Sequence, residues 1–205
     1  FFLTRKVVPD WAYDLLKQSK YSYMQFSINT SNPLDWAKLS PNAVPLDTAY
    51  EQVAEMHRQG IYISIQVNPI VAGITGNDDI VKLIHELAAR GADHLIFKFV
   101  EIVYSSIEGM KKQMRLRFRD RAQKFEDLFT CNIGGFRTID EDYRKEGLKL
   151  FWKECKKAGI KMSLCYEYEF ERDEKGQVLN SRGISMGHKF ISNDQCHGHR
   201  VPLFT

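Results

Sequence analysis

The chain has 205 residues, 43% of them hydrophobic and 27% charged, with a formal net charge of +3. This is the profile of one globular domain with a sizeable core, not of a disordered or membrane-embedded chain. No apolar run approaches the roughly 20 residues needed to cross a bilayer, and so mild a positive charge does not by itself imply a nucleic-acid partner.

The N-terminus, FFLTRKVVPDW, has too short an apolar stretch for a signal peptide and no small-residue cleavage site after it. FFLT reads as the later half of a buried strand, so the chain is expected to be a piece of a longer one or the product of cleavage. A helix (PDWAYDLLKQS) and a strand (YSYMQFSI) follow. Residues 46–59 then have helical periodicity and end at Gly60, before the strand IYISIQVNPI. Residues 78–90 are helical, end at Gly91 and lead into ADHLIFKFVEI. Residues 103–138 interrupt this rhythm as an insertion. Residues 140–158 are helical, end at Gly159 and lead into IKMSLCYEYEF. In each unit glycine supplies the left-handed residue that stops a helix before a strand begins.

Helix, glycine, strand, repeated at about 31 residues between Gly60 and Gly91, implies a parallel sheet with right-handed crossovers. Either an open doubly wound sheet or part of a barrel satisfies this pattern. A complete eight-fold barrel needs about 250 residues, so the chain supplies about five strands of one. In both architectures ligands bind at the strand C-termini. Those positions carry Thr4, Arg5 and Lys6, then Ser27, Asn29 and Thr30, then Gln66, Asn68 and Pro69, then Glu101 and Tyr104, and last Cys165, Glu167 and Tyr168. Amides and hydroxyls at successive strand ends suit a small polar ligand.

Cysteines stand at 131, 155, 165 and 196, with no C-x-x-C pair, so neither a zinc ribbon nor a thioredoxin-type site is indicated. Reduced thiols and a cytoplasmic setting are the expectation. The segment KKQMRLRFRDRAQK holds Lys111, Lys112, Arg115, Arg117, Arg119, Arg121 and Lys124 against the single acid Asp120. A solvated helix face explains most such runs, and phosphate contact is the alternative. The tail carries His188, Cys196, His197 and His199, whose donor types suit zinc or iron but whose spacing matches no zinc module, so no metal ligand is assigned.

The stretches FLTRK, YSYMQFSINT, AEMHRQGI and YISIQVNPIVAGITGNDDIVKLIHELAARGADHLIF together resemble the later strands of a radical S-adenosylmethionine (SAM) enzyme. The branch they resemble is that of the spore photoproduct lyase-like and DNA-repair photolyase-like proteins. LCYEYEF with the tail GISMGHKFISNDQCHGHRVPLF resembles the same family's C-terminal region more weakly. The resemblance implies a partial (βα) barrel of the TIM type, α/β in class, over 1–170, with the basic insertion at 103–138 and a tail at 171–205 packing on the barrel. It implies a SAM site at Arg5, Lys6, Ser27, Asn29, Gln66 and Asn68, and reductive cleavage of SAM to drive radical chemistry on a nucleic-acid-type substrate. Glu101, Tyr104, Glu167, Tyr168, His197 and His199 would meet that substrate, and Cys131, Cys165 or Cys196 would be hydrogen-atom donors.

The chain departs from the family pattern in two places. The C-x-x-x-C-x-x-C motif that holds a [4Fe–4S] cluster is absent, so the cluster is expected on a missing N-terminal segment or a partner chain. Gln66 and Asn68 stand where the family carries Arg and Asp. These departures sustain a rival expectation: a non-catalytic, barrel-derived assembly subunit of a nucleic-acid-handling complex. A metal-dependent TIM-barrel enzyme of another family ranks last, because only Glu101 and Glu167 supply carboxylates at strand ends.

Overall fold

The computed structural model of the protein describes residues 1–19 and 22–190. In chain order the first half contains β1 (Phe2–Thr4), α1 (Asp10–Gln18), β2 (Met24–Ser27), α2 (Pro33–Leu39), α3 (Leu46–Arg58), β3 (Ile63–Ile70), α4 (Asn77–Ala89) and β4 (His94–Phe99). Then come β5 (Glu101–Val103), α5 (Ile107–Arg117), α6 (Ala122–Leu128), β6 (Cys131–Ile133), β7 (Phe136–Thr138) and α7 (Glu141–Ala158). The described part ends with β8 (Lys161–Leu164), β9 (Tyr168–Arg172), β10 (Val178–Ser185) and α8 (Gly187–Phe190).

The class is α/β. Five strands form one sheet in the order β1-β2-β3-β4-β8, and every neighbouring pair is parallel. The order follows the chain without reversing, so the sheet has no switch point of the kind that defines a doubly wound fold. The helix stops work as their sequence implies. Gly159 has φ 69° and caps α7, while Gly60 and Gly91, at φ 70° and 83°, follow the last residues of α3 and α4.

Strand alternation divides the sheet into two unlike faces. Ile63, Ile65 and Val67 of β3 are wholly buried, as are Leu95 and Phe97 of β4 and Met162 of β8. They share one core with Val53 and Met56 of α3, Leu83 and Leu87 of α4 and Phe151 of α7. Each such aliphatic side chain contributes about 1.5–3 kcal/mol by leaving water. The opposite face is polar. Gln25, Ser64 and His94 lie side by side in register, and all three are fully buried. His94 Nε2 lies 2.8 Å from Ser163 Oγ, and Gln25 Nε2 donates to Ser64 Oγ at 3.4 Å.

Two strands are shorter than the sequence implies. The expected run ADHLIFKFVEI splits between β4 and β5, which lie in different sheets. The run IKMSLCYEYEF likewise splits between β8 and β9, because Tyr166 between them has φ 52°, a left-handed conformation that a strand cannot hold. The insertion folds as two helices and a three-stranded antiparallel sheet ordered β5-β7-β6. β9 and β10 form an antiparallel pair that begins within the expected barrel segment. Helix α2, seven residues long, carries no strong periodic signal, and only its Asn32 cap, accepting from the Leu34 and Asp35 amides, marks it.

Candidate functional site

A cavity of about 770 Å³ opens at the C-terminal ends of β1, β2 and β3. Arg5, Lys6, Ser27, Asn29, Gln66 and Asn68 all line it, with Leu39 to Ala43 after α2 as the opposite wall. These six residues come from three strand ends spread over more than sixty positions, and parallel packing brings them together. Arg5 donates through Nη2 to Ser27 Oγ at 2.6 Å and to the Asn68 carbonyl at 3.1 Å. Ser27 Oγ donates to the same carbonyl at 3.0 Å. Arg5 has no carboxylate within ion-pair distance among the described residues. Partial removal from water pulls its pKa below the ordinary value, yet a guanidinium remains protonated at neutral pH. Among the described residues, the cavity therefore holds a positive charge without an internal counterion.

Asn29 supplies the second chemical cue. It is 2% exposed, and its Nδ2 donates to the Pro69 carbonyl at 3.0 Å, across a cis Asn68–Pro69 peptide. Its Oδ1 has no hydrogen-bond partner among the described residues. A buried acceptor left without a partner costs about 1–3 kcal/mol, so this amide marks a polar spot beneath the cavity. Arg5 matches a carboxylate. Leu39, Pro41 and Ala43 offer an apolar wall.

The walls are fixed by residues that sequence reasoning did not single out. Asp79, in the first turn of α4, accepts from Thr30 Oγ1 at 2.7 Å, from the Ser31 amide at 2.9 Å and from Ser31 Oγ at 2.6 Å. A carboxylate there also suits the positive end of the helix dipole. The acidic pair Asp78-Asp79 opening a helix was the available signal. Trp36 Nε1 donates to the Val44 carbonyl at 2.7 Å and holds the opposite wall to α2.

The residues expected at the substrate separate into different places. Glu101 and Tyr168 line a second cavity of about 720 Å³ with Lys98 and Tyr166. Tyr104 is 52% exposed and lines neither cavity. Glu167 turns inward: it is 4% exposed, accepts from the Phe99 amide and pairs with Arg144 at 2.9 Å, so its carboxylate serves the interior. Burial pushes its pKa up, against the pull of Arg144. Cys131 is buried with its Sγ 3.8 Å from Arg144 Nη2, and burial raises its thiol pKa despite that arginine. Cys165 is buried at the end of β8. His197, His199 and Cys196 lie outside the described residues. No group of three His, Cys, Asp or Glu side chains among the described residues is arranged to hold a metal ion. Cys131, Cys155 and Cys165 are buried and do not form the triad an iron–sulfur cluster requires.

Most of the basic segment is engaged internally. Arg121 forms a two-pronged pair with Asp35 at 2.6 and 2.7 Å and also donates to the Ile74 carbonyl. Arg115 pairs with Glu126, Arg117 donates to the Lys38 carbonyl at 2.7 Å, and Lys111 lies 3.6 Å from Glu108. Of the six basic residues from Lys111 to Arg121 expected at phosphates, Lys112, Arg117 and Arg119 make no ion pair among the described residues, and Arg117 is held by its carbonyl contact.

No helix among the described residues is long and apolar enough to cross a membrane. No protein-family model matches the chain. Over 207 aligned positions covering all of this chain, it is 47% identical to the radical SAM Nalpha-GlyT isomerase of Pseudomonas phage M6. The chain spans 42% of that protein's length. The chain is thus similar, from end to end, to part of a radical SAM protein.

Proposed function

We propose that the chain is the SAM-holding part of a radical SAM enzyme, built on the later strands of a (βα) barrel. The observation that carries this reading is the convergence of Arg5, Ser27, Asn29, Gln66 and Asn68 on one cavity, with a guanidinium that has no counterion among the described residues. SAM offers the complementary groups: a carboxylate for Arg5, ammonium or ribose donors for the strand-end amides, and an adenine for the apolar wall. Gln66 and Asn68, neutral where the resembled family is charged, would add hydrogen bonds without a second charge.

Two features support the barrel. The sheet runs β1 to β8 without reversal, as a curved singly wound sheet does. Its β1 edge has no pairing strand among the described residues and is apolar, with Phe2 63% and Trp11 66% exposed, which suits a neighbouring strand and helix. Residues 1–170 would then be the barrel segment, 103–138 its insertion and 171–205 a tail against it, in a cytoplasmic setting that keeps the thiols reduced. The described cysteines do not fit a [4Fe–4S] cluster, so the electron that SAM cleavage requires would come from another segment or a partner chain.

The name of the phage relative suggests isomerisation, with Nalpha-GlyT as the molecule acted on. We take isomerisation of a nucleic-acid-type substrate as the candidate reaction, in preference to the lyase chemistry of the photoproduct-lyase branch. The absence of cluster ligands among the described residues favours the second reading, a non-catalytic assembly subunit. Calorimetric titration with SAM separates the two: saturable binding that weakens in Arg5→Ala supports the enzyme, and no binding supports the subunit.

A further inference from the structure

The second cavity lies at the ends of β4 and β8, on the same sheet edge as the first, and its walls come from outside the repeating units. One wall is the turn Gly134-Gly135 between β6 and β7, and the other is Ser181 to Gly183 of β10. Gly134 and Gly135 both have positive φ, 61° and 90°, which gives a tight hairpin tip. The Gly134 amide donates to the Ser181 carbonyl at 3.1 Å and holds the two walls together. Gly183 has φ 74°, and a Cβ there would lie 2.9 Å from the Glu169 carbonyl, so the strand can sit that close only as glycine.

Tyr166 is the unusual residue of this cavity. A bulky side chain with φ 52° is a backbone outlier, and such outliers cluster at functional sites. The residue is 60% exposed. Lys98 holds it: Nζ lies 5.8 Å from the ring centroid and 3.5 Å from the Tyr166 carbonyl. Glu101, 2.8 Å from Lys98 Nζ, fixes the lysine in turn. Arg182 brings a guanidinium that makes no ion pair among the described residues.

We propose that this cavity is a nucleotide subsite, in which a planar base stacks on Tyr166, its polar edge meets Lys98 and Glu101, and a phosphate meets Arg182. An exposed aromatic face beside free positive charge is the combination that single-stranded nucleic acids use, because every base has a π face and every link a negative charge. The proposal rests on the nucleic-acid-type substrate reading above and assigns that substrate a place apart from SAM.

The test is titration of the chain with a single-stranded pyrimidine hexanucleotide, with SAM affinity measured on the same preparations. Tyr166→Ala and Arg182→Ala should each weaken oligonucleotide binding about tenfold, and Tyr166→Phe should not. Tyr166→Gly, which suits the left-handed backbone, should behave like Tyr166→Ala and guards against misfolding. The paired change Lys112→Ala with Arg119→Ala should leave binding within about twofold. No binding at millimolar oligonucleotide overturns the proposal. So does binding indifferent to Tyr166 and Arg182, or binding lost only with Lys112 and Arg119. Tyr166-dependent binding without SAM binding would uphold the subsite and remove the cofactor reading.

Discussion

Arg5 reaches across two strand ends to donate to Ser27 Oγ at 2.6 Å, and Ser27 passes a hydrogen bond to the Asn68 carbonyl at 3.0 Å. The serine thus aims the guanidinium and joins β1, β2 and β3 at the cavity floor. Ser27→Ala should lower SAM affinity roughly three- to tenfold, the loss of about one hydrogen bond's alignment, while the melting temperature changes little. Calorimetric titration with SAM measures this, and an unchanged affinity would mean that Ser27 does not position Arg5.

The pair Arg144–Glu167 lies in the interior, at 1% and 4% side-chain exposure. Arg144 also donates to the Ile139 carbonyl at 2.9 Å and the Tyr168 carbonyl at 2.7 Å, so one arginine ties α7 to the start of β9. Glu167→Ala leaves that arginine buried without its carboxylate and should cost about 3–5 kcal/mol in urea unfolding. A loss below about 1 kcal/mol would show the pair to be dispensable.

Arg121 belongs to the fold although it sits in the basic run. Its partner Asp35 is 5% exposed, whereas Arg121 is 32% exposed and partly screened. Arg121→Ala should therefore destabilise by roughly 2–4 kcal/mol, and Lys112→Ala or Arg119→Ala by less than about 0.5 kcal/mol. Denaturant midpoints of the three variants give the comparison.

Glu141 sets part of the acid limit of stability. Burial pushes its carboxyl up, but hydrogen bonds from Arg172, Lys145 and the Phe170 amide outweigh burial and hold its pKa below the ordinary value. The folded state then binds fewer protons than the unfolded state just below the ordinary pKa. The stabilisation is complete above the ordinary carboxylate range and is lost as pH falls through the folded pKa. Glu141→Gln should cost stability at about pH 7 and progressively less toward about pH 3, flattening the acid limb. A parallel downward shift of the whole curve would contradict this assignment.

Gly73 tests the packing of the insertion on the sheet. It has φ 88°, and a Cβ there would lie 2.6 Å from the backbone nitrogen of Phe125 in α6. Neither backbone can yield cheaply, so Gly73→Ala should cost more than about 2 kcal/mol in thermal or urea unfolding. Gly76→Ala, with open space at its Cβ, provides the mild comparison.

The repeating units were legible because each carries local signals: apolar periodicity in α3, α4 and α7, and the glycines that stop them. The six residues of the first cavity were legible too, because strand ends in parallel sheets converge on one edge. The rest depends on distant pairings that no local pattern encodes. Glu167 looked like a mouth carboxylate until Arg144, 23 positions earlier, drew it inward. Arg121 looked like a phosphate ligand, but its partner Asp35 lies 86 positions away. The breaks after β4 and β8 were hidden because Val100 and Tyr166 fit an apolar-aromatic run, and only the backbone at Tyr166 shows the turn.

SAM binding to the chain, wild type against Arg5→Ala, decides whether the first cavity is a SAM site. Saturable binding to the wild-type chain is expected, weakened about tenfold or more by the substitution, with both proteins equally folded. Absent binding, or equal affinity in the two proteins, would contradict it.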